Sequence, residues 1–216
     1  SKGAFGRDVT DEVFRGLAKE VKTRMKESGV AGEPIGVDID TPITVIRQLE
    51  ETGLQVVDGE EALMDAKMIK SPEEVDCVRV ACSIAEACFE EMRRALKPGV
   101  TGNRLVGMML NKVYEMGGEL DYIQPLCCSG PQTNMPSPCR GYSDRIIRPG
   151  DMVYFDVMAS FMGYATCYYR DFVVGKASSD QRDCFQQLLE LHLSILRSLR
   201  PGITTKDLAE KWPGPE

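Results

Sequence analysis

The stretch from Met152 to Tyr169 carries a single charged residue, Asp156, and this constrains the chain more than any other feature. An apolar run of this length could cross a membrane as a helix. The central aspartate, the Gly163 break and the many Val and Tyr residues favour a buried β-hairpin instead. Arg148-Pro149-Gly150-Asp151 reads as a turn and Met152 to Ala159 as a strand. Val153, Phe155 and Val157 then face one side, and Tyr154, Asp156 and Met158 the other. A turn near Phe161-Met162-Gly163 reverses the chain into a second strand, Cys167 to Val174. If Ser160 pairs with Gly163, antiparallel register places Asp156 directly opposite Cys167 on the same face. A carboxylate in such a strand is costly unless it is paired, protonated or bound to a cation. Two readings follow: Asp156 belongs to a site, or it hydrogen-bonds a neighbour and only positions backbone.

The segment around this hairpin is built from helices with clear boundaries. Lys70-Ser71-Pro72-Glu73-Glu74 carries the start signals of a helix, with Ser71 as cap and the two glutamates at the positive end. Val75, Val78, Cys82, Ala85, Phe89, Met92 and Leu96 recur at helical spacing, which places Cys82 in core. Pro98-Gly99 ends the helix and Thr101 caps the next. Leu96-Lys97-Pro98-Gly99-Val100-Thr101 recurs as Leu199-Arg200-Pro201-Gly202-Ile203-Thr204. The first copy is followed by strand-like segments and the second runs only to Glu216, so two similar halves are expected with the second lacking its strands.

Residues 1–66 alternate differently. Asp8 caps a helix to about Ser28 with Phe14, Leu17, Val21 and Met25 as its apolar stripe and Gly29 as its stop. Ile35 to Ile39 is a strand, Thr41-Pro42 starts a helix ending at Gly53, and Leu54 to Val57 is a second strand closed by Asp58-Gly59. This is a βαβ unit with a parallel pair. Two parallel strands do not stand alone, so residues 1–66 read as the end of a larger α/β domain. Residues 67–216 form a second domain.

Composition excludes several function classes. A net charge of −7 and a pI near 5.0 argue against a nucleic-acid partner. Ser1 to Thr10 is polar, without the apolar run of a secretion signal. Eight cysteines in a chain of 216 residues exceed no disulfide-scaffold threshold, and reduced thiols in the cytoplasm are expected. There is no CxxC and one histidine, His192, so no zinc-finger pattern is available. Cys127, Cys128 and Cys139 lie together in sequence with no basic partner to activate them as nucleophiles.

The ordered set Lys70-Ser71-Pro72-Glu73-Glu74, Ser129-Gly130-Pro131, Ser143-Asp144-Arg145 through Pro149-Gly150-Asp151, and Gly163-Tyr164 through Arg170 and Phe172 resembles the creatinase/aminopeptidase P, or pita-bread, family. The resemblance covers residues 67–216, with residues 1–66 similar to the end of the family's N-terminal domain. It implies an incomplete α+β pita-bread catalytic domain preceded by part of an α/β domain.

In metallopeptidase members, an Asp on the first strand and a second Asp eleven positions on hold paired divalent metals. Asp156 matches the first and Cys167 stands at the second. A thiolate there favours zinc or iron over the hard manganese pair. The family's later His and Glu ligands are absent before Glu216, and His192 does not match them. Many relatives carry a His after Ser-Gly-Pro; this chain reads Asn134-Met135-Pro136-Ser137-Pro138-Cys139.

The resemblance therefore implies a hydrolase of a C–N bond, Xaa-Pro peptidase-like, with an altered metal site at Asp156 and Cys167 and a divalent metal (Zn, Fe or Mn). A short peptide or small molecule is its expected substrate, and a homodimer its assembly. The alternatives are a creatinase-like metal-free hydrolase or a dimethylsulfoniopropionate lyase-like enzyme, and an inactive fragment or pseudoenzyme that acts as a binding module.

Overall fold

The computed structural model describes residues 7–120, 125–134 and 143–212. The chain divides into two compact units, Ser1–Pro72 and Glu73–Glu216. Among the described residues, no helix is long and apolar enough to cross a membrane, and no disulfide is formed.

In the first unit, α1 (Arg7–Glu27) packs on α2 (Ile43–Glu51), and β1 (Ile35–Val37) pairs in parallel with β2 (Val56–Asp58). Ala18, Leu49 and Leu54 form its buried centre, with Val21, Met25, Val45 and Val56 against them. The apolar stripe of α1 passes through Ala18 rather than Leu17, which is exposed. Phe14, Ala18, Val21 and Met25 keep steps of four, three and four, which hold one face toward α2, and Leu17 falls off that line. Thr41 donates its hydroxyl to Asp38 Oδ1 at 2.7 Å, and Pro42 occupies the N-cap of α2 without a side-chain cap. Gly59 lets the strand ends close: a Cβ there would lie 2.8 Å from the Gly36 carbonyl carbon. A further helix, α3 (Glu60–Met68), follows β2. Its apolar residues lack a sustained stripe, and it starts where the Asp58 carboxylate accepts from the Glu60 amide at 2.9 Å.

The second unit contains α4 (Pro72–Ala95), α5 (Gly102–Glu115), a three-stranded antiparallel sheet, α6 (Ser179–Ser198) and α7 (Thr205–Ala209). The sheet order is β3 (Leu126–Ser129), β4 (Met152–Phe161), β5 (Tyr164–Val173). Ile84, Cys88, Phe89 and Met92 of α4, together with Leu105, Met109 and Val113 of α5, pack with Val153, Phe155, Val157 and Ala159 of β4 in one core. Asp156, Met158 and Ser160, on the other face of β4, are buried as well. Cys82 is half-buried at the rim, its thiol 3.7 Å from Thr166 Oγ1, while Cys88 of the same helix lies inside the core.

Both copies of the Pro-Gly repeat close a helix and open another. The Thr101 hydroxyl accepts from the Arg104 amide at 3.3 Å. Thr204 forms a capping box with Asp207.

The hairpin turn falls one residue later than Ser160–Gly163 pairing requires. Phe161 pairs with Tyr164, leaving Met162 (φ 52) and Gly163 (φ 78) as a two-residue turn with both φ values positive. Moving a two-residue turn by one position moves every cross-strand partner by two. Asp156 therefore faces Tyr169, and Cys167 faces Met158. The shift of two preserves the face, because side chains alternate with a period of two. Glu119 holds the turn in place: its backbone bridges Ser160 and its carboxylate accepts from the Gly163 amide at 3.0 Å.

Candidate functional site

Asp156 sits on the central strand, between Leu126 of β3 and Tyr169 of β5, and is 1% exposed. Its face of the sheet carries Tyr154 and Met158 on the same strand, Cys128 on β3, and Cys167 and Tyr169 on β5. Among the described residues, the one hydrogen bond to its carboxylate comes from the Cys167 thiol, 3.3 Å from Oδ1. The strand pair thus joins the two residues diagonally rather than face to face. Burial pushes the Asp156 carboxyl above the ordinary carboxylate range, and the thiol hydrogen bond offsets part of that rise. Burial and the neighbouring carboxylate likewise raise Cys167, while the Tyr169 hydroxyl draws it down.

Tyr154 and Tyr169 extend this arrangement. Their rings stack at 5.5 Å between centroids with 20° between planes. Of this group, Cys167 donates to Asp156 Oδ1, and Tyr169 is the direct cross-strand neighbour of Asp156. Two tyrosines and a thiol therefore share one sheet face with the buried carboxylate. Alternation along the first strand places Tyr154 on the Asp156 face, and period-two counting from Cys167 reaches Tyr169.

The Ser-Gly-Pro and Ser-Asp-Arg segments meet at a separate point. Arg145 forms a two-pronged pair with Asp151, Nη1 to Oδ2 at 2.6 Å and Nη2 to Oδ1 at 3.0 Å, and donates to Ser129 Oγ at 3.0 Å. The Arg148 amide donates to the same carboxylate at 2.7 Å. Arg145 and its hydrogen bonds hold the Asp151 carboxyl below its usual range. Gly130 is required here: its φ is +55, and a Cβ would lie 2.6 Å from Arg145 Nη2. These motif residues fix the entry to β4 by tying it to the end of β3.

The buried cysteines are poor nucleophiles. Burial raises the Cys127 thiol to about 12 and Cys88 to about 11, and raises Cys128 as well. Cys139 and the Met135–Pro138 segment lie outside the described residues.

Asp156 and Cys167 supply two donor side chains, with a thiol proton directed at the carboxylate. Among the described residues, no group of three or more His, Cys, Asp or Glu could hold a metal ion. His192, on α6, is exposed and belongs to no such group.

An uncompensated buried carboxylate has a testable cost. Asp156→Asn is expected to raise the Tm of the metal-free protein at pH 7, because the amide keeps the shape and removes the charge. The sign follows from the raised carboxyl: the penalty is present above its folded-state pKa and disappears as pH falls below the unfolded value. The gain in Tm should therefore shrink toward pH 4 in thermal melts. A lower Tm for the variant at pH 7 would show that the ionised carboxylate is compensated.

The family model of metallopeptidase family M24 matches residues 76–214. A mixed sheet-and-helix unit of this kind is also found in the solved pita-bread structures. The prolidase of Pyrococcus furiosus aligns with a TM-score of 0.74 at 22% identity, over 83% of this chain and 53% of that one. The X-Pro aminopeptidase of Thermotoga maritima aligns at 0.77 and 18% identity, over 90% and 55%. The chain belongs to metallopeptidase family M24 and has the pita-bread fold.

Among curated proteins, it is 26% identical over 181 residues to an Xaa-Pro dipeptidase of Pyrococcus horikoshii, covering 81% of this chain and 50% of the relative. It is 29% identical over 213 residues to a dimethylsulfoniopropionate lyase of Roseovarius nubinhibens, covering 94% and 47%. The chain spans about half the length of the curated relatives it matches.

Proposed function

We propose that this chain belongs to a hydrolase of C–N bonds, of the Xaa-Pro peptidase type, whose metal site is altered at Cys167. Family membership supports the reaction class, since Xaa-Pro dipeptidases recur among its relatives. The observation that carries the altered site is the Cys167 thiol, 3.3 Å from the buried Asp156 carboxylate, at the position where the family resemblance implies a second Asp. Asp156 and Cys167 are the proposed metal donors. A sulfur donor favours zinc or iron over paired hard cations. Two side chains do not complete a coordination sphere, so water or further donors would have to supply the rest. In this reading the substrate is a short peptide and the assembly a homodimer.

Metal analysis of the purified protein tests the altered site. Fewer than two equivalents of manganese or cobalt per chain are expected after loading and desalting, and two tightly held equivalents would overturn it. Hydrolysis of an Xaa-Pro dipeptide, followed by release of proline, tests the reaction class.

A second reading is lyase chemistry on dimethylsulfoniopropionate, which the likeness to the Roseovarius enzyme over 94% of this chain favours. Release of dimethyl sulfide from that substrate, with no proline released from the dipeptide, would select it.

A further inference from the structure

In the sheet order β3-β4-β5, β5 is an outer strand, and among the described residues no strand pairs its other side. That side is a backbone edge without a ladder. The even-numbered residues of β5 lie opposite core residues of β4: Thr166 faces Ala159, Tyr168 faces Val157 and Arg170 faces Phe155. The odd-numbered residues Cys167 and Tyr169 share the face of Asp156.

Two polar contacts to glutamates tie this strand to α4. Beside the turn, the Tyr164 hydroxyl donates to Glu74 Oε1 at 2.7 Å. Further along, Arg170 Nη2 pairs with Glu86 Oε1 at 2.8 Å. From Glu74 to Glu86 the helix rises about 18 Å, and from Tyr164 to Arg170 the strand covers about 20 Å, so the two ties match in spacing. Arg170 is held by more than the ion pair. Its guanidinium carbon lies 5.2 Å from the centre of the Phe89 ring and 5.4 Å from that of the Tyr168 ring. Its Nη1 donates to the Tyr169 carbonyl at 2.8 Å. Rings, carbonyl and carboxylate together orient a planar fork, which a lysine ammonium could not match.

The contact between Cys167 and Asp156 depends on how β5 lies against β4. Register alone gives Cys167 the partner Met158 and Asp156 the partner Tyr169. Diagonal neighbours on one face stand about 7–8 Å apart, against about 4.5–5.5 Å between the Cβ atoms of direct partners. A thiol 3.3 Å from Oδ1 along that diagonal needs the strands twisted so that Cys167 leans toward Asp156. The backbone ladder fixes register, while the twist between the strands follows side-chain packing. Arg170 is the charged tie of β5 to α4, and it lies beyond Cys167 on the side away from the turn.

We infer that Arg170 is a positioning residue: through α4 it holds β5 at the twist that brings the Cys167 thiol onto the Asp156 carboxylate. It acts from the opposite face of the sheet. The inference concerns the geometry of the pair and is independent of the reaction or metal assigned to it. An ion pair whose side chains are 46% and 57% exposed contributes little to overall stability, so its removal acts locally.

Alkylation of the full chain by iodoacetamide near neutral pH, resolved by peptide mass spectrometry, tests it. The thiolate is the nucleophile, so a thiol donating to a carboxylate reacts slowly. Arg170→Ala is expected to speed alkylation of Cys167 at least fivefold, while Cys184, exposed on α6, stays within twofold. In an Asp156→Asn background the same substitution should change the Cys167 rate less than twofold, because the contact it acts through is gone. A merely structural loosening of β5 would speed Cys167 in both backgrounds. If circular dichroism shows Arg170→Ala unfolded, Glu86→Gln removes the same ion pair from α4 and should speed Cys167 at least twofold. Three results would overturn the inference: an unchanged Cys167 rate, equal acceleration in the Asp156→Asn background, or parallel acceleration of Cys184.

Discussion

Phe155→Ala is expected to destabilise the Glu73–Glu216 unit by about 3–5 kcal/mol, the range for deleting a buried aromatic ring. Phe155 is completely buried in the middle of β4 and meets the Phe172 ring at 5.4 Å between centroids, tilted by 54°. The neighbouring strands and the two long helices cannot collapse into the void, because Val153, Val157 and Ala159 hold the strand on either side. For a unit of this size each kcal/mol lowers Tm by roughly 3 °C, so a fall on the order of 10 °C is expected. Chemical denaturation should show a lower midpoint with an unchanged slope. Met162→Ala, on the exposed turn, is the control and should move stability far less. A loss under 1 kcal/mol for Phe155→Ala would mean that β4 is not the centre of the core.

Arg145→Ala is expected to cost about 2 kcal/mol. Breaking a buried ion pair from one side costs roughly 3–5 kcal/mol. The side chains here are 24% and 12% exposed, so water relieves part of the charge left on Asp151. The lost contacts to Asp151 and Ser129 also free the end of β3 from the start of β4. The pH dependence has a definite sign. Asp151 is lowered in the folded state, so its contribution is present above the unfolded carboxyl pKa of about 3.9 and is lost as pH falls through the folded value. Wild type should therefore lose stability across that acid window, and the variant should lose less there. Equal acid sensitivity in the two proteins would rule the pair out as the source.

Much of this architecture was legible in advance because it is local. Alternation along Met152–Ala159 assigned the two faces of β4, and they stand as read, with Phe155 in the core and Asp156 opposite. Thr101 declared a helix start through hydroxyl capping, and the Pro-Gly repeat marked both helix ends. The α1 stripe was misplaced at Leu17 because Leu17 and Ala18 are both apolar, and only contact with α2 chooses between them. Helix α3 escaped notice because it buries none of its residues, and hydrophobic periodicity detects burial.

The candidate site divides in the same way. The sequence by itself determined that a lone carboxylate lies in an apolar strand and that Cys167 shares its face. Alternation with a period of two needs no tertiary information. Only the tertiary structure decided the partners: the Met162–Gly163 turn placed Tyr169 beside Asp156, brought Cys167 in along the diagonal, and set Arg145 against Asp151. Those pairings depend on where one turn falls and on which segments it brings together. A chain's local preferences leave that choice open, and packing of the sheet against α4 and α5 makes it.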